Sequence, residues 1–436
     1  MDLHGWMGAA RRCAAGAALL LAFSLMRMGP AKSTAADPLA GSPGPWKVAV
    51  VLYDHPKAAN VSVGDAMLLP DDTLFVPITV AWRDSAEAFA HVRGYDWYEA
   101  ADTLRLTLVS RDRGLSWNVH KDPPPQKSLR ARDGTLVRLR WLGYQHHPLE
   151  EQARWERAGY WLYLIPEKRL FATTGDFVVE SSHDGGHSWS SRKMELPHRA
   201  FLAGYGMATA RLLSDGTILM PVFGYLTRRH KTYAASVARS ADGGRTWDLI
   251  TVAQDERPEA VSAQDIPSGA IWSQFPESAG FDEAQVVETG KPGRVLAIIE
   301  ESRSKDLYSC VSEDYGRTWT QPKPTGMRGN TPLLLRLRSG KLACAFTQRT
   351  QDGGMRVCLS RDDGQTWDAE HPIVLKDDNA RTRGQCLWNL VQFSDGTLFA
   401  SGWATKRGCG GGDEVSYAIG FRFTEEFVTP LRVGPR

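Results

Sequence analysis

The chain has 436 residues and no run of five or more like charges, and 52 Lys+Arg against 50 Asp+Glu leave a formal net charge of +2. A protein that grips phosphates needs a surplus of basic residues aimed at them, so nucleic acid is not an expected partner. Cysteine is scarce. Of the six, Cys13 falls in a leader described below, which leaves Cys310, Cys344, Cys358, Cys386 and Cys409, with no Cys-x-x-Cys pair among them. An odd, unpaired set is neither a disulfide framework nor a zinc site. It reads as buried free thiols, with Cys344 and Cys358 able to meet across neighbouring strands. Gly-x-Gly-x-x-Gly, P-loop and His-Glu-x-x-His motifs are also missing. Gly410-Gly411-Gly412 leads into Asp413 and not into a helix start, so it makes no phosphate cradle. His146 and His147 are adjacent, and on an extended segment they point to opposite sides and cannot share a metal. No cofactor and no metal are expected.

Long apolar runs are missing too. The longest lies near the start, where Arg11 and Arg12 precede an apolar stretch from Cys13 to Met26 that Arg27 ends. Its roughly 14 residues at 1.5 Å rise reach about 21 Å, short of the roughly 30 Å hydrocarbon core of a membrane. Small residues follow at Ser33, Thr34, Ala35 and Ala36. Basic start, short apolar middle and small-residue end predict a secretory signal over residues 1–36. The mature chain, 37–436, is then expected to be secreted or periplasmic, with no membrane span.

What the mature chain does have is aromatic residues and repeats. The 15 Trp, 15 Phe and 12 Tyr supply enough burial to exclude disorder. The pattern Ser-x-Asp-x-Gly-x-[Ser/Thr]-Trp occurs five times without mismatch, at Ser110–Trp117, Ser182–Trp189, Ser240–Trp247, Ser312–Trp319 and Ser360–Trp367. Four fixed positions repeated five times mark a repeat architecture. In each copy the Asp accepts from backbone N–H groups ahead of it, the Gly supplies a positive φ, and a short strand leads in. Tight turns between apolar runs interleave with these boxes, at Asp71-Asp72-Thr73, Asp133-Gly134-Thr135, Asp215-Gly216-Thr217, Pro292-Gly293-Arg294, Ser339-Gly340-Lys341 and Asp395-Gly396-Thr397. Such turns are hairpin signals. Six hairpins, five of them followed by a box strand, predict six four-stranded units in one all-β domain. The strand at Trp46–Tyr53 has no hairpin partner of its own and is expected to join the last unit. Pro148 to Gly159 reads as a short helical insertion, Pro first and Gly last.

These boxes resemble the Asp boxes of the sialidase superfamily, and the six hairpins resemble its six-bladed β-propeller, over nearly the whole mature chain. The resemblance implies a carbohydrate ligand, an anionic glycan above all, and glycoside hydrolysis. Boxes and tight turns share one face, so ligands belong on the other, at the open ends of the hairpins. The hairpin register puts Asp65, Arg83 and Asp84 there, then His146, His147, Arg228, Arg229 and His230, then Asp282, Glu283, Glu300, Arg303, Arg328, Asn330, Gln348, Arg349, Arg381, Arg383, Lys406 and Arg407. Arginines are prominent among the open-end residues, and guanidinium groups clamp carboxylates in pairs.

Family members hold the sugar carboxylate with three Arg, and they use a Tyr nucleophile paired with a Glu and an Asp acid/base. Asp282-Glu283-Ala284-Gln285-Val286-Val287-Glu288 looks like the segment carrying that Glu, which assigns the role to Glu283. Ala345-Phe346-Thr347-Gln348-Arg349 resembles a segment bearing a clamp arginine, which gives Arg349, with Arg356 as alternate. Arg303, Arg383 and Arg83 are the further substrate-binding candidates. The departures are as informative. No Lys or Arg occurs between Lys57 and Arg83, where the family has Arg-Ile-Pro, and the second clamp position falls on Glu300. No Tyr occurs between Tyr315 and Tyr417, and Gln385-Cys386-Leu387-Trp388-Asn389 stands at the nucleophile's strand. Catalysis would then rest on Glu283 with Asp65 or Asp84, and water as nucleophile. The alternative is a non-catalytic propeller that binds a glycan or a protein partner on the same face.

Overall fold

A computed structural model describes residues 46–55, 58–82, 103–122, 124–165, 168–196, 200–204, 206–226, 232–255, 280–348, 353–377, 385–407 and 414–427. The expected leader, and Arg83, Asp84, Arg349, Arg383 and Cys409, lie outside them. The described strands form six antiparallel sheets of four or five strands in chain order, with one further three-stranded sheet. Blade 1 runs outward through Ala58–Val63, Leu74–Trp82, Thr103–Ser110 and Asn118–His120. Blade 2 holds Leu129–Arg130, Leu136–Trp141, Phe177–Ser182 and Ser190–Lys193, and blade 3 holds Phe201–Gly204, Ile218–Tyr225, Ala234–Ser240 and Asp248–Gln254. Blade 4 runs through Phe281–Glu288, Val295–Glu301, Asp306–Ser312 and Lys323–Arg328, and blade 5 through Asn330–Arg336, Leu342–Gln348, Gly354–Ser360 and Ile373–Asp377. Blade 6 takes Gln385–Gln392, Leu398–Arg407 and Glu414–Phe423, and its fourth strand is Lys47–Tyr53. Lys47 pairs with Phe423 and Val51 with Ile419, so the opening strand completes the last blade as its sequence predicts.

Strands in the middle of a blade are covered on both sides, which explains why they are apolar throughout. All seven residues of Val295–Glu301 are buried. Alternate side chains face alternate neighbours. Leu139 and Val179 of blade 2 meet Met220 and Val222 of blade 3, and Leu219 of blade 3 meets Val286 and Val295 of blade 4. Leu296 and Ile298 meet Leu334 and Cys344 across blades 4 and 5. Val357 meets Leu387 and Phe421 across blades 5 and 6, and Phe399 meets Val76 and Ile78 across blades 6 and 1.

The junction of blades 1 and 2 is built differently. Leu74, Val76, Ile78 and Val80 turn toward blade 6, which leaves Pro77 and Thr79, with Arg105 and Thr107 of the next strand, for the other side. Blade 2 sends Val137, Leu139 and Val179 toward blade 3 and so presents Arg138, Arg140 and Glu180 to blade 1. Among the described residues no buried apolar cluster spans this junction.

The five boxes share one hydrogen-bond scheme. In the third, Ser240 Oγ donates to Asp242 Oδ1 at 2.8 Å and accepts from Gly244 N at 2.8 Å. Thr246 N donates to Asp242 Oδ1 at 2.9 Å, and Thr246 Oγ1 to Oδ2 at 2.7 Å. Trp247 Nε1 closes the loop on Gly244 O at 3.0 Å. Burial opposes the Asp242 charge, but these donors win and bring its carboxyl down to about 2. The box glycine is required twice over. Gly364 has φ +82, and a Cβ there would stand 2.3 Å from Leu296 of the preceding blade.

Boxes and hairpin turns lie together, as expected. Arg113 in the first box pairs with Asp72 at 2.8 Å and Asp395 at 3.1 Å, and Gly290 N donates to Asp363 Oδ1 at 3.1 Å. The insertion forms a 3-10 turn, Leu149–Glu151, and a helix, Gln152–Arg157, against a sheet of Tyr144–Pro148, Leu170–Thr174 and Tyr163–Ile165. Trp155 packs on His147 at 4.5 Å, and Trp161 stacks on Tyr225 of blade 3 at 4.5 Å.

Replacing Asp242 by Ala strands the donors of Ser240, Thr246 and the turn. Asp242→Ala is expected to cost roughly 1–3 kcal/mol in chemical denaturation while ligand affinity, measured well below melting, stays unchanged. A variant with wild-type stability and lost binding would contradict the structural role of the box.

Candidate functional site

The face opposite the boxes is shaped by irregular inner strands. In blade 4, Asp282 pairs with Glu300 and Gln285 with Ile298, so one extra residue bulges between them and Glu283 takes φ 45. In blade 5 the same shift lies between Asn330 and Leu333, with Thr331 at φ 52. In blade 6 it lies between Leu387 and Asn389, at Trp388. Bulges re-aim side chains at the ends of strands. A positive φ at a non-glycine residue is costly and collects at functional positions.

Glu283 thus sits in a carboxyl cluster at the mouth of blade 4. Glu300, 2% exposed, accepts at Oε1 from Lys305 Nζ at 2.8 Å and Asn330 Nδ2 at 2.6 Å, and at Oε2 from Thr331 N at 3.0 Å. Burial, then the charge of Glu283, raises the Glu300 carboxyl to about 7 against the pull of Lys305. Asp282 is driven well above the usual carboxylate range by burial and then by Glu300 and Glu283. Its Oδ1 is buried without a hydrogen-bond partner. Like charges this close cannot all ionise together. Around neutral pH this mouth holds protons as well as negative charge.

A second group lies on the axis. Asn389 Oδ1 accepts from Ala66 N at 2.8 Å and its amide donates to Gly64 O at 3.0 Å, which pins the blade 1 loop between them to blade 6. Asp65 in that loop accepts from Trp388 Nε1 at 3.0 Å. Its side chain is open to solvent but sits low in a concave surface, and the surrounding protein raises its pKa. Asp65, Lys127, Arg211, Gln285 and Trp388 line an axial cavity of about 80 Å³. Burial, then the neighbouring Arg211, brings the Lys127 ammonium down to about 8.

The predicted residues therefore divide into separate groups. Glu283 lies with Asp282, Glu300 and Lys305, and Asp65 lies with Trp388 and Lys127. Arg303 is exposed in the turn after Val295–Glu301. Arg356, the alternate clamp, is 8% exposed, and it donates to Lys376 O at 2.6 Å and Gly353 O at 3.3 Å, bonds that hold the edge of blade 5. His147 bonds Thr173 at 3.0 Å. Tyr225 and Tyr233 are buried in an aromatic stack, and burial pushes the Tyr225 hydroxyl up to about 12, far from a nucleophile's range. Cys310, Cys344, Cys358 and Cys386 are buried and form no disulfide among the described residues. Among the described residues no group of three His, Cys, Asp or Glu is arranged to hold a metal, and no helix is long and apolar enough to cross a membrane.

Lys127, Arg211 and Lys305 were not legible as site residues. Lys127 stands in a non-repetitive Pro-rich linker between blades, where neither periodicity nor motif marks it. Lys305 follows a strand end and differs in no local way from other loop lysines.

Six-fold repetition, a box on one face and a carboxyl-rich mouth on the other define an all-β propeller of sialidase type. The BNR repeat-like domain family model matches residues 153–420, more than half of the chain, and the chain belongs to that family. A sialidase of Bacteroides fragilis (strain YCH46) is 23% identical over 245 residues, 52% of this chain and 40% of that protein. A sialidase of Micromonospora viridifaciens is 27% identical over 135 residues, 30% of this chain and 19% of that one. The chain thus spans less than half the length of these curated relatives. Among solved structures, a protein of unknown function from Dyadobacter fermentans DSM 18053 superposes with a TM-score of 0.58 at 21% identity, covering 88% of this chain and 99% of that one. That likeness concerns the fold.

The Glu300 carboxyl predicts a pH signature. Its folded pKa of about 7 lies above the ordinary 4.5, so the folded state keeps a proton that the unfolded state releases. Stability from this group is full below the ordinary value and is lost as pH rises toward 7, by at most about 3 kcal/mol. Melting of the wild type is therefore expected to fall across this window, and Glu300→Gln should lack that component. Parallel melting curves for the two proteins would refute the assignment.

Proposed function

We propose that the open face cleaves a glycosidic bond in an acidic or otherwise decorated glycan, by a site that departs from that of its sialidase relatives. The observation that carries this reading is the mouth of blade 4. Glu283 is aimed by a bulge at positive φ, beside Asp282, whose carboxyl is raised well above the usual range, and Glu300, raised to about 7. Pairs of carboxyl groups with divergent proton affinities are what acid/base cleavage of an acetal requires. Glu283 takes the role of general base or acid, and Asp65 or Asp84 that of its partner across the mouth. Water is the attacking group, since Gln385, Cys386 and Trp388 occupy the strand where sialidases carry Tyr. Arg349, Arg383, Arg303 and Arg83 are the candidate contacts for the ligand's acidic group. The leader over residues 1–36 would deliver this activity outside the cytoplasm.

One observation favours the alternative of a propeller that binds a glycan without cleaving it. Glu300 stands in the register of a clamp arginine, and all three of its bonds are made within the protein.

A hydrolysis screen of aryl-glycosides and oligosaccharides separates the two. Glu283→Gln should lower turnover by about 10²–10⁴-fold, with binding and melting retained. Arg349→Ala should weaken binding of an acidic ligand by about 2–4 kcal/mol, and Arg349→Lys should recover only part. Unaltered turnover in Glu283→Gln removes the proposed chemistry. Absence of turnover across the screen, with binding intact, leaves the binding reading.

A further inference from the structure

The polar junction between blades 1 and 2 opens into a cleft of about 510 Å³, lined by Pro77, Lys127, Arg138, Arg140 and Trp141 among others, and by Asp65. Asp65 and Lys127 also line the axial cavity, so the two spaces meet at this pair. Strand alternation brings Arg138 and Arg140 to this junction, and Met67, Leu139, Leu142 and Met207 add apolar side chains to its lining without closing it.

Its charges are not equally free. Arg140 is paired with Glu180 at 3.2 Å, and the Arg138 guanidinium lies 3.5 Å over the Trp189 ring with its Nε buried and unbonded. Lys127 is different. It makes no hydrogen bond and no ion pair among the described residues. The charged groups facing it are Asp65 from blade 1, Arg211 from blade 3, and Arg138 and Arg140 along blade 2. Three cations against Asp65 and the engaged Glu180 leave the cleft net positive, beside apolar surface from Pro77 and Trp141.

We propose that this cleft is a subsite for an acidic saccharide unit, whose carboxylate or sulfate meets Lys127 while the ring lies along the apolar wall. The proposal rests on the glycan reading above and assigns part of the anion recognition to a residue outside the arginine set. An ammonium in a concave, low-dielectric site meets an anion more strongly than a solvated surface lysine does. A ligand seated there would reach the axis at Asp65.

The test uses the full mature chain with Glu283→Gln, so that ligands stay intact, and calorimetric titration with trigalacturonate, its neutral methyl ester, and a sulfated disaccharide. Lys127→Met is expected to weaken trigalacturonate about tenfold or more near neutral pH, with Lys127→Arg close to the parent and the ester bound weakly by all three. Stronger loss for the sulfated probe than for the uronate would identify sulfate as the preferred anion. Burial holds the ammonium near 8, so acidic-probe affinity should fall as pH rises through that value, whereas Lys127→Arg should hold its affinity there. Melting curves of each variant verify folding. Equal affinity for acid and ester, an unchanged Lys127→Met, or no acidic-probe binding overturns the subsite. Hydrolysis of neutral glycosides that depends on Glu283, with no acidic binding, sinks the subsite and spares the catalytic reading. Acidic binding that depends on Lys127, without hydrolysis of any probe, does the reverse.

Discussion

One carboxylate in each of five of the six blades carries the architecture. In each box an Asp gathers the hydroxyl two residues before it and the N–H and hydroxyl four residues after it into one closed turn. That turn fixes where the outer half of a blade begins. Its glycine, lacking a Cβ, lets the blade settle directly on a side chain of the one before, Phe399 under Gly114 and Leu219 under Gly316. The spacing of the blades at the box face, and so the width available at the opposite mouth, follows from these contacts. The indole of four boxes bonds the glycine carbonyl, while the Trp367 Nε1 is buried without a partner, so the closure survives the loss of that one bond.

The legible and illegible parts of this protein divide along a physical line. Boxes, hairpin turns and the orphan strand at Trp46–Tyr53 are determined by residues close in sequence or by a missing local partner, so the sheets and their order could be read directly. The mouth depends on which distant strand ends meet. Asp282 and Glu283 could be placed at the open end, but their grouping with Glu300, Lys305 and Asn330 arises from two blades together. The alternation that faces Arg138 and Arg140 toward blade 1 is visible in the strand Leu136–Trp141. Its consequence is not, because a polar face reads the same whether it meets solvent or a cleft.

Glu300 stands where the family resemblance calls for an arginine, and the Lys305 and Asn330 side chains and the Thr331 N–H donate to it. Lys127 and Arg211 bring positive charge to the described part of this face on the side of blades 2 and 3, and Arg303 is exposed beside blade 4.

The last blade is assembled from the two ends of the chain, with Lys47 lying opposite Phe423. Lys47 Nζ also reaches the carbonyls of Val374 and Leu375 in blade 5, at 2.8 and 3.1 Å. Such a pairing is strongly non-local, and its loop-closure entropy must be met before it returns any stability. During synthesis Lys47–Tyr53 has no partner until Glu414–Phe423 has emerged, so this blade cannot close before then. A truncation at either terminus would leave blade 6 with an exposed edge ready to pair with a second molecule.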